Sequence, residues 1–373
     1  MHIIITELDK QQSKTQEFPE LNLKVTSRSG LHPTEINLLN QKIKTEDMKH
    51  TLFINNRTGV LPIFFSNTYA DASINVLNID FHHFKKVEDN AKLNNAKFNN
   101  MCASNYLPET KLTQIFLQID NTTYSKEYYQ DIFIQHYKLL TKKGKIFISS
   151  DKRIQWFEDF LRVFNISYTL EKFNKHEFVL ILRKTVDFPE SISYNDSFQL
   201  SLPDKPVIDF FSLPGVFAHH RIDEGALALI DTVKVYQNDV LLDMGCGIGT
   251  VGIALAKYYQ PKQVIFLDSN ARALDCAKIN AHDNHLENCL FFLTDEGLKA
   301  KKATIFVGNP PYFSNFRIAD LFIDNAYSNL AQGGTAYIVA KNIKHIHKAM
   351  LKVFNNAIIT SRRGYNVITS VKY

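Results

Sequence analysis

Two apolar rhythms alternate along the chain. Short unbroken apolar runs of about five residues are followed, after a turn, by stretches whose apolar residues recur every three or four positions. The first kind predicts strands buried on both faces, and the second predicts amphipathic helices. In the second half the runs are VLLDM (240–244), QVIFLD (263–268), LFFLT (290–294), TIFVGN (304–309) and TAYIVA (335–340). With helical patterns between them, they predict a doubly wound parallel α/β sheet. NAIITSRR (356–363) and NVITSVKY (366–373) flank Gly364 and predict a terminal hairpin.

The first half repeats this rhythm. TLFINNRTGVLPIFFS (51–66) has the strand–turn–helix layout of VLLDMGCGIGTVGIALA (240–256), with Gly59 and Gly249 lying 190 positions apart. HYKLLTKKGKIFISS (136–150) matches AYSNLAQGGTAYIVA (326–340) at the same offset, through Gly144 and Gly334. Between these anchors, IFLQID (115–120) lies opposite IFVGNP (305–310), again at 190. Three separated anchors at one offset predict two copies of one α/β domain.

The copies differ in chemistry. Asp243, Gly245 and Gly247 of the second copy correspond to Phe53, Asn55 and Arg57 of the first, and Asn309-Pro310-Pro311 to Ile119-Asp120-Asn121. A backbone that approaches a ligand needs glycine, because a Cβ collides. The first copy therefore reads as a scaffold whose ligand site has decayed. The expected boundaries are a degenerate domain over 1–185, serving as scaffold or for RNA recognition, a polar linker over 186–205 holding a short strand (SFQLSL), and a catalytic domain over 206–373. A helix at about 34–48 is predicted after Pro33.

Composition adds exclusions. Of 373 residues, 45% are hydrophobic and 22% charged, which rules out collagen-like and wholly disordered chains. No apolar run reaches the roughly 20 residues that span a bilayer, and the N-terminus lacks a secretory pattern, so no membrane association and a cytoplasmic location are expected. Cys102, Cys246, Cys276 and Cys289 show no metal-ligand spacing, so no metal is expected. A net charge of +5 permits a nucleic-acid partner without requiring one.

Gly247-Ile-Gly249-Thr-Val-Gly252 fits a dinucleotide fingerprint, with Asp268 at the end of the next strand. Asp243 shifts the reading. A carboxylate just before the turn repels a pyrophosphate but suits a cationic amino acid, as in S-adenosyl-L-methionine. Asp268 can accept ribose hydroxyls in either cofactor, and Asp295, after the third strand, can meet the adenine amine. Asn309-Pro310-Pro311-Tyr312 ends the fourth strand. Methylating an exocyclic amine requires acceptors for its hydrogens so that its lone pair faces the methyl group. The Asn309 amide oxygen and the Pro310 carbonyl can accept, the prolines stiffen the backbone, and Tyr312 offers a face for stacking.

The strand and hairpin order is similar to that of class I methyltransferases, and the tetrapeptide resembles the [DNS]-P-P-[FYW] motif of amine methyltransferases. Pro214-Gly215-Val216-Phe217, followed by Arg221-Ile222-Asp223-Glu224-Gly225-Ala226-Leu227, resembles a segment of the RsmC/RlmG-type ribosomal RNA guanine-N2 methyltransferases. That resemblance implies tandem Rossmann-like methyltransferase domains with a degenerate N-terminal copy, S-adenosyl-L-methionine as cofactor, and ribosomal RNA or a ribosomal subunit as partner of a monomer. It implies cofactor contacts from Phe217, Asp223, Asp243, Gly245, Cys246, Gly247, Gly249, Asp268, Ser269, Asp295 and Asn309, and an amine site from Asn309, Pro310, Pro311 and Tyr312. Tyr312 replaces the family's usual Phe, and Phe313 stands where His often follows. Adenine-N6 and protein-glutamine methylation, an NAD-dependent oxidoreductase and a non-enzymatic RNA-binding scaffold are the alternatives. Lys341, Lys344, His345, Lys348 and Lys352, with Arg362 and Arg363, are candidate phosphate contacts.

Overall fold

In a computed structural model, the described residues are 14–18, 23–27, 39, 41–120, 124–174, 177–188, 192–298, 303–311 and 316–373. The chain divides into two compact units, Met1–Tyr194 and Asn195–Tyr373.

In the first unit, β1 (Lys14–Phe18) and β2 (Leu23–Ser27) form a small antiparallel pair. The main sheet runs β5-β4-β3-β6-β7-β9-β8. Its strands are β3 (His50–Ile54), β4 (Ser73–Asn78), β5 (Asn99–Cys102), β6 (Leu112–Ile119), β7 (Leu140–Ser150), β8 (Tyr168–Asn174) and β9 (Glu177–Arg183). The first five are parallel and the last two form the antiparallel hairpin. Helices α1 (Val60–Thr68), α2 (Phe81–Leu93), α3 (Lys126–Tyr137) and α4 (Gln155–Val163) connect them. Of the helix expected at 34–48, residues 39, 41 and 42 are helical and Thr45–Met48 is a 3-10 turn, while 34–38 and 40 lie outside the described residues.

The second unit opens with the antiparallel pair β10 (Asp196–Leu200) and β11 (Ile208–Ser212). Then follow α5 (Glu224–Thr232), β12 (Val240–Met244), α6 (Thr250–Tyr259), β13 (Gln263–Asp268), α7 (Ala271–Asp283), β14 (Cys289–Leu293) and β15 (Ala303–Gly308). The unit closes with α8 (Arg317–Asn329), β16 (Leu330–Ala340), α9 (Ile343–Phe354), β17 (Ile358–Arg362) and β18 (Tyr365–Val371). The sheet order β14-β13-β12-β15-β16-β18-β17 repeats that of the first unit. Both faces are covered, which explains the continuous apolar runs: Leu241, Ile305 and Val339 pack in one core, Leu242, Phe306 and Ile338 in the other.

The pairing register corrects one part of the repeat. Leu117 sits opposite Ile54, while Gly308 sits opposite Met244. The offset is therefore 191 at this strand, against 190 at β3, β4 and β7, and the counterparts of Asn309-Pro310-Pro311 are Gln118-Ile119-Asp120. Hydrogen bonds agree: His50 N–H donates to Thr113 Oγ1 at 3.1 Å, as Val240 N–H does to Thr304 Oγ1 at 2.9 Å. A single-residue length difference between anchors is invisible to an ungapped offset.

The units also share an interlock between helix and turn. Asn90 Nδ2 donates to the Thr58 carbonyl at 2.6 Å, and Asn280 Nδ2 to the Ile248 carbonyl at 3.0 Å. Each gives a carbonyl of the turn a side-chain donor. The following residues, Gly59 and Gly249, both cap their helices in the left-handed conformation.

Candidate functional site

In the second unit the chain runs outward from β12 to β14, then returns to place β15 on the other side of β12. That reversal opens a crevice at the carboxyl ends of β12 and β15, where doubly wound sheets bind their ligands. Asp243 near the end of β12, the turn 245–249, Asp268 at the end of β13, and Asn309 just past β15 all belong to this edge.

Asp243 is buried, and its Oδ2 accepts the Gly252 N–H at 2.9 Å. Burial raises its carboxyl to about 7, against the Gly252 hydrogen bond and helped by the neighbouring Asp268. A carboxylate so strained by desolvation is stabilised by an arriving cation. Asp268 is oriented from both sides: Gly247 N–H donates to Oδ2 and Asn270 N–H to Oδ1, each at 2.8 Å. Thr294 N–H donates to the Asp268 carbonyl, which brings Asp295 to the same edge. Ser269 follows directly and is half-buried. Cys246 is buried, and burial holds its thiol well up, away from the thiolate.

The turn glycines have different reasons. At Gly245 (φ +66) a Cβ would lie 2.8 Å from the Phe322 ring of α8. At Gly247 (φ +56) a Cβ would meet nothing within 4 Å. Packing explains Gly245, whereas open space beside Gly247 is what a ligand lying against the turn needs.

Asp223 and Asn309, 86 positions apart, form one constellation. Asp223 Oδ2 accepts the Ala226 N–H at 3.1 Å, capping α5, and the Asn309 Nδ2 at 2.9 Å. The amide is thereby oriented, with Nδ2 committed to Asp223 and Oδ1 left as its acceptor. Gly225 makes room, since a Cβ there would lie 2.8 Å from Asp223 Oδ2. Pro310 is buried and Pro311 half-buried, while Tyr312 lies outside the described residues. The loop before α5 is pinned to α7: buried Arg272 donates from Nη1 to the Pro214 carbonyl, and Asn270 Nδ2 to the Gly215 carbonyl, both at 2.9 Å. Phe217, next in that loop, is 69% exposed.

At the equivalent edge of the first unit the space is filled. Asn55 Oδ1 accepts the Tyr128 hydroxyl at 2.7 Å, and Arg57 pairs with Asp120 at 2.6 Å. Phe53 replaces the acid and stacks on Phe116, 4.6 Å between centroids.

Residues 207–369 match the methyltransferase small domain family. The second unit belongs to that family. Two proteins named ribosomal RNA small subunit methyltransferase C are similar to the chain. That of Pseudomonas syringae pv. syringae (strain B728a) is 30% identical over 163 residues, 41% of this chain and 48% of its own. That of Ectopseudomonas mendocina (strain ymp) is 32% identical over 149 residues, 39% of this chain and 45% of its own. The chain thus matches about half the length of these curated relatives. The T. thermophilus 16S rRNA N2 G1207 methyltransferase (RsmC), solved in complex with AdoMet and guanosine, superposes with a TM-score of 0.77 at 16% identity, over 97% of this chain and 98% of that one. The tandem methyltransferase fold therefore extends through both units.

In the methyltransferase domain, sequence reasoning missed the Asp223–Asn309 contact, the Phe322 ring beneath Gly245, and the Arg272 anchor. Only Asp223 carried a local signal, as a helix cap. The candidate phosphate contacts are partly engaged within the unit: Arg363 Nε pairs with Asp231 at 2.7 Å, His345 Nε2 with Asp320 at 2.6 Å, and Lys341 lies over the Tyr365 ring.

Proposed function

We propose that the chain is an S-adenosylmethionine-dependent methyltransferase acting on the guanine N2 amine of ribosomal RNA, with only the second unit active. The observation that carries this reading is the Asn309 amide locked by Asp223, beside the glycine turn with its buried acid. The family of the second unit and the names of the relatives support it. The residues fit the cofactor: the gap beside Gly247 admits a ligand, Asp243 faces a cationic amine favourably, and Asp268 has lone pairs for the ribose hydroxyls. Gly245, Cys246, Gly249, Ser269 and Asp295 line the same edge, and Phe217 is the exposed rim residue available to cover it.

Bound there, the cofactor supplies an electrophilic methyl group. Asn309 Oδ1 and the Pro310 carbonyl accept the hydrogens of the exocyclic amine, which turns its lone pair outward. Tyr312 stacks on the base. No strong base is required, because the amine becomes cationic on alkylation and then releases its proton to water. The first unit, with Arg57–Asp120 and Tyr128–Asn55 in the equivalent crevice, serves as scaffold and RNA-binding surface.

The test is nucleoside mass spectrometry of ribosomal RNA from a strain lacking the protein, with restoration by the purified chain. Loss of N2-methylguanosine at one position is expected. Loss of N6-methyladenosine with N2-methylguanosine intact would overturn the base assignment.

A further inference from the structure

The first unit has a second feature, at the end of its sheet away from the filled crevice. The amino ends of β6 and β7 and the carboxyl end of β9 border a concavity of about 320 Å³. Five cations line it, Lys44, Lys142, Lys143, Lys145 and Arg183, against two carboxylates, Glu46 and Asp47. Asp47 is already neutralised by Lys145, whose side chain is largely buried, and Thr113 Oγ1 donates to the Asp47 carbonyl at 2.6 Å. That set forms a fixed floor. Lys44, Lys142, Lys143 and Arg183 are exposed around it.

Comparison with the second unit shows that this charge is not a requirement of the fold. Lys142, Lys143 and Lys145 correspond to Gln332, Gly333 and Thr335 at the 190-residue offset, and Arg183, which pairs with Lys145, corresponds to Val371, which pairs with Thr335. Gly333 has φ +79 and Lys143 has φ +67. The first unit thus holds a lysine in a left-handed turn that its counterpart assigns to glycine, and such strain persists where a side chain is needed. The positive charge continues beyond the concavity: Lys184, hydrogen-bonded to Asp187 at 2.9 Å, holds that carboxyl below its usual range, with smaller contributions from Lys111 and Lys142.

We propose that this concavity binds the phosphodiester backbone of RNA. Exposed cations around a polar floor suit phosphates that keep part of their hydration, and the spread of charge suits a polymer more than one small anion. The proposal rests on the reading of RNA as substrate and assigns its docking to a face of the first unit that holds no catalytic group.

The experiment uses the full chain with the second unit's own residues transplanted, Lys142→Gln, Lys143→Gly and Arg183→Val. Binding of a fluorescein-labelled 20-nucleotide ribosomal RNA hairpin is followed by anisotropy from 50 to 300 mM salt. The variant should bind on the order of 10–100-fold more weakly at 100 mM salt, with a log–log salt slope shallower by roughly 2, from about 0.7–0.9 per lost phosphate contact. S-adenosylhomocysteine affinity should not change, and the melting temperature should not fall, since glycine relieves the left-handed strain at 143. An unchanged RNA affinity and slope would overturn the proposal and leave the methyltransferase reading standing. Weakened binding of inorganic phosphate with RNA binding intact would also overturn it, by assigning the concavity to a small anion. Should the triple variant melt early, Lys142→Gln alone, on an exposed side chain, must still lower the slope by nearly 1. Wild-type protein that binds no RNA and methylates none would refute the underlying reading.

Discussion

Replacing Asp243 with Asn separates what that acid costs from what it provides. Asn is close in shape to a protonated Asp and retains an oxygen for the Gly252 N–H. Moving a carboxyl from its ordinary 3.8 to about 7 penalises its charged form by roughly 4 kcal/mol. The native state thus holds a proton that the unfolded chain has released, and stability falls as pH rises from about 4 to about 7, then levels. Asn does not titrate. The variant should match wild type below about pH 4, where the carboxyl is protonated in both states, and exceed it by about 2–4 kcal/mol at pH 8, the lower figure allowing for loss of a charge-assisted hydrogen bond. Differential scanning fluorimetry from about pH 3.5 to about pH 8.5 reads the growing gap, and calorimetric titration with S-adenosylhomocysteine reads the other side. Wild-type affinity should fall about tenfold per pH unit below 7, as the carboxylate that meets the ligand amine becomes protonated, and the variant should bind at least a hundredfold more weakly at pH 8. A stability gap independent of pH, or an Asn variant binding within twofold of wild type, would refute the assignment of Asp243 as the buried anion of the cofactor site.

Asn309→Ala should leave S-adenosylhomocysteine affinity nearly unchanged and lower single-turnover methylation by about a hundred- to a thousandfold, the cost of one preorganised acceptor. Asp223→Ala should reduce turnover through a freed Asn309 amide and also lower the melting temperature, by loss of a cap worth about 1 kcal/mol. Gly247→Ala should fold at a cost of about 1–2 kcal/mol for its left-handed φ of +56, since its Cβ enters open space, and lose cofactor affinity, whereas Gly252→Ala, with a Cβ 2.4 Å from Phe266, should destabilise the unit further; melting curves and titrations of the pair separate the two. Titration of wild type should give one ligand per chain, unchanged by Arg57→Ala, and a second site lost in that variant would restore function to the first unit.

What was legible in the sequence was local. VLLDM and QVIFLD coincide with β12 and β13 because runs buried on both faces have sharp ends. TAYIVA begins five residues late, since β16 already pairs at Leu330, before the bulge that Gly333 and Gly334 allow. The glycine turn and its two acids were readable because they lie within one continuous strand–helix–strand segment, 240–268. The Asp223–Asn309 contact was not, because only the tertiary fold joins positions 86 apart. The third repeat anchor slipped by one residue because apolar strands look alike in adjacent registers.

The aromatic replacement of the buried acid has a consequence for assembly of the chain. A polypeptide with two copies of one topology risks exchanging equivalent strands between them as it folds. In the first unit Phe53, Phe116 and Phe147 stack across three neighbouring strands at centroid distances of 4.6 and 4.9 Å. Were β12 to enter that sheet in place of β3, Asp243 would lie against phenyl rings with no cation or ligand to offset its burial. The divergence that emptied one copy of its chemistry thereby also labels the central strands, so that each is accepted only by its own sheet.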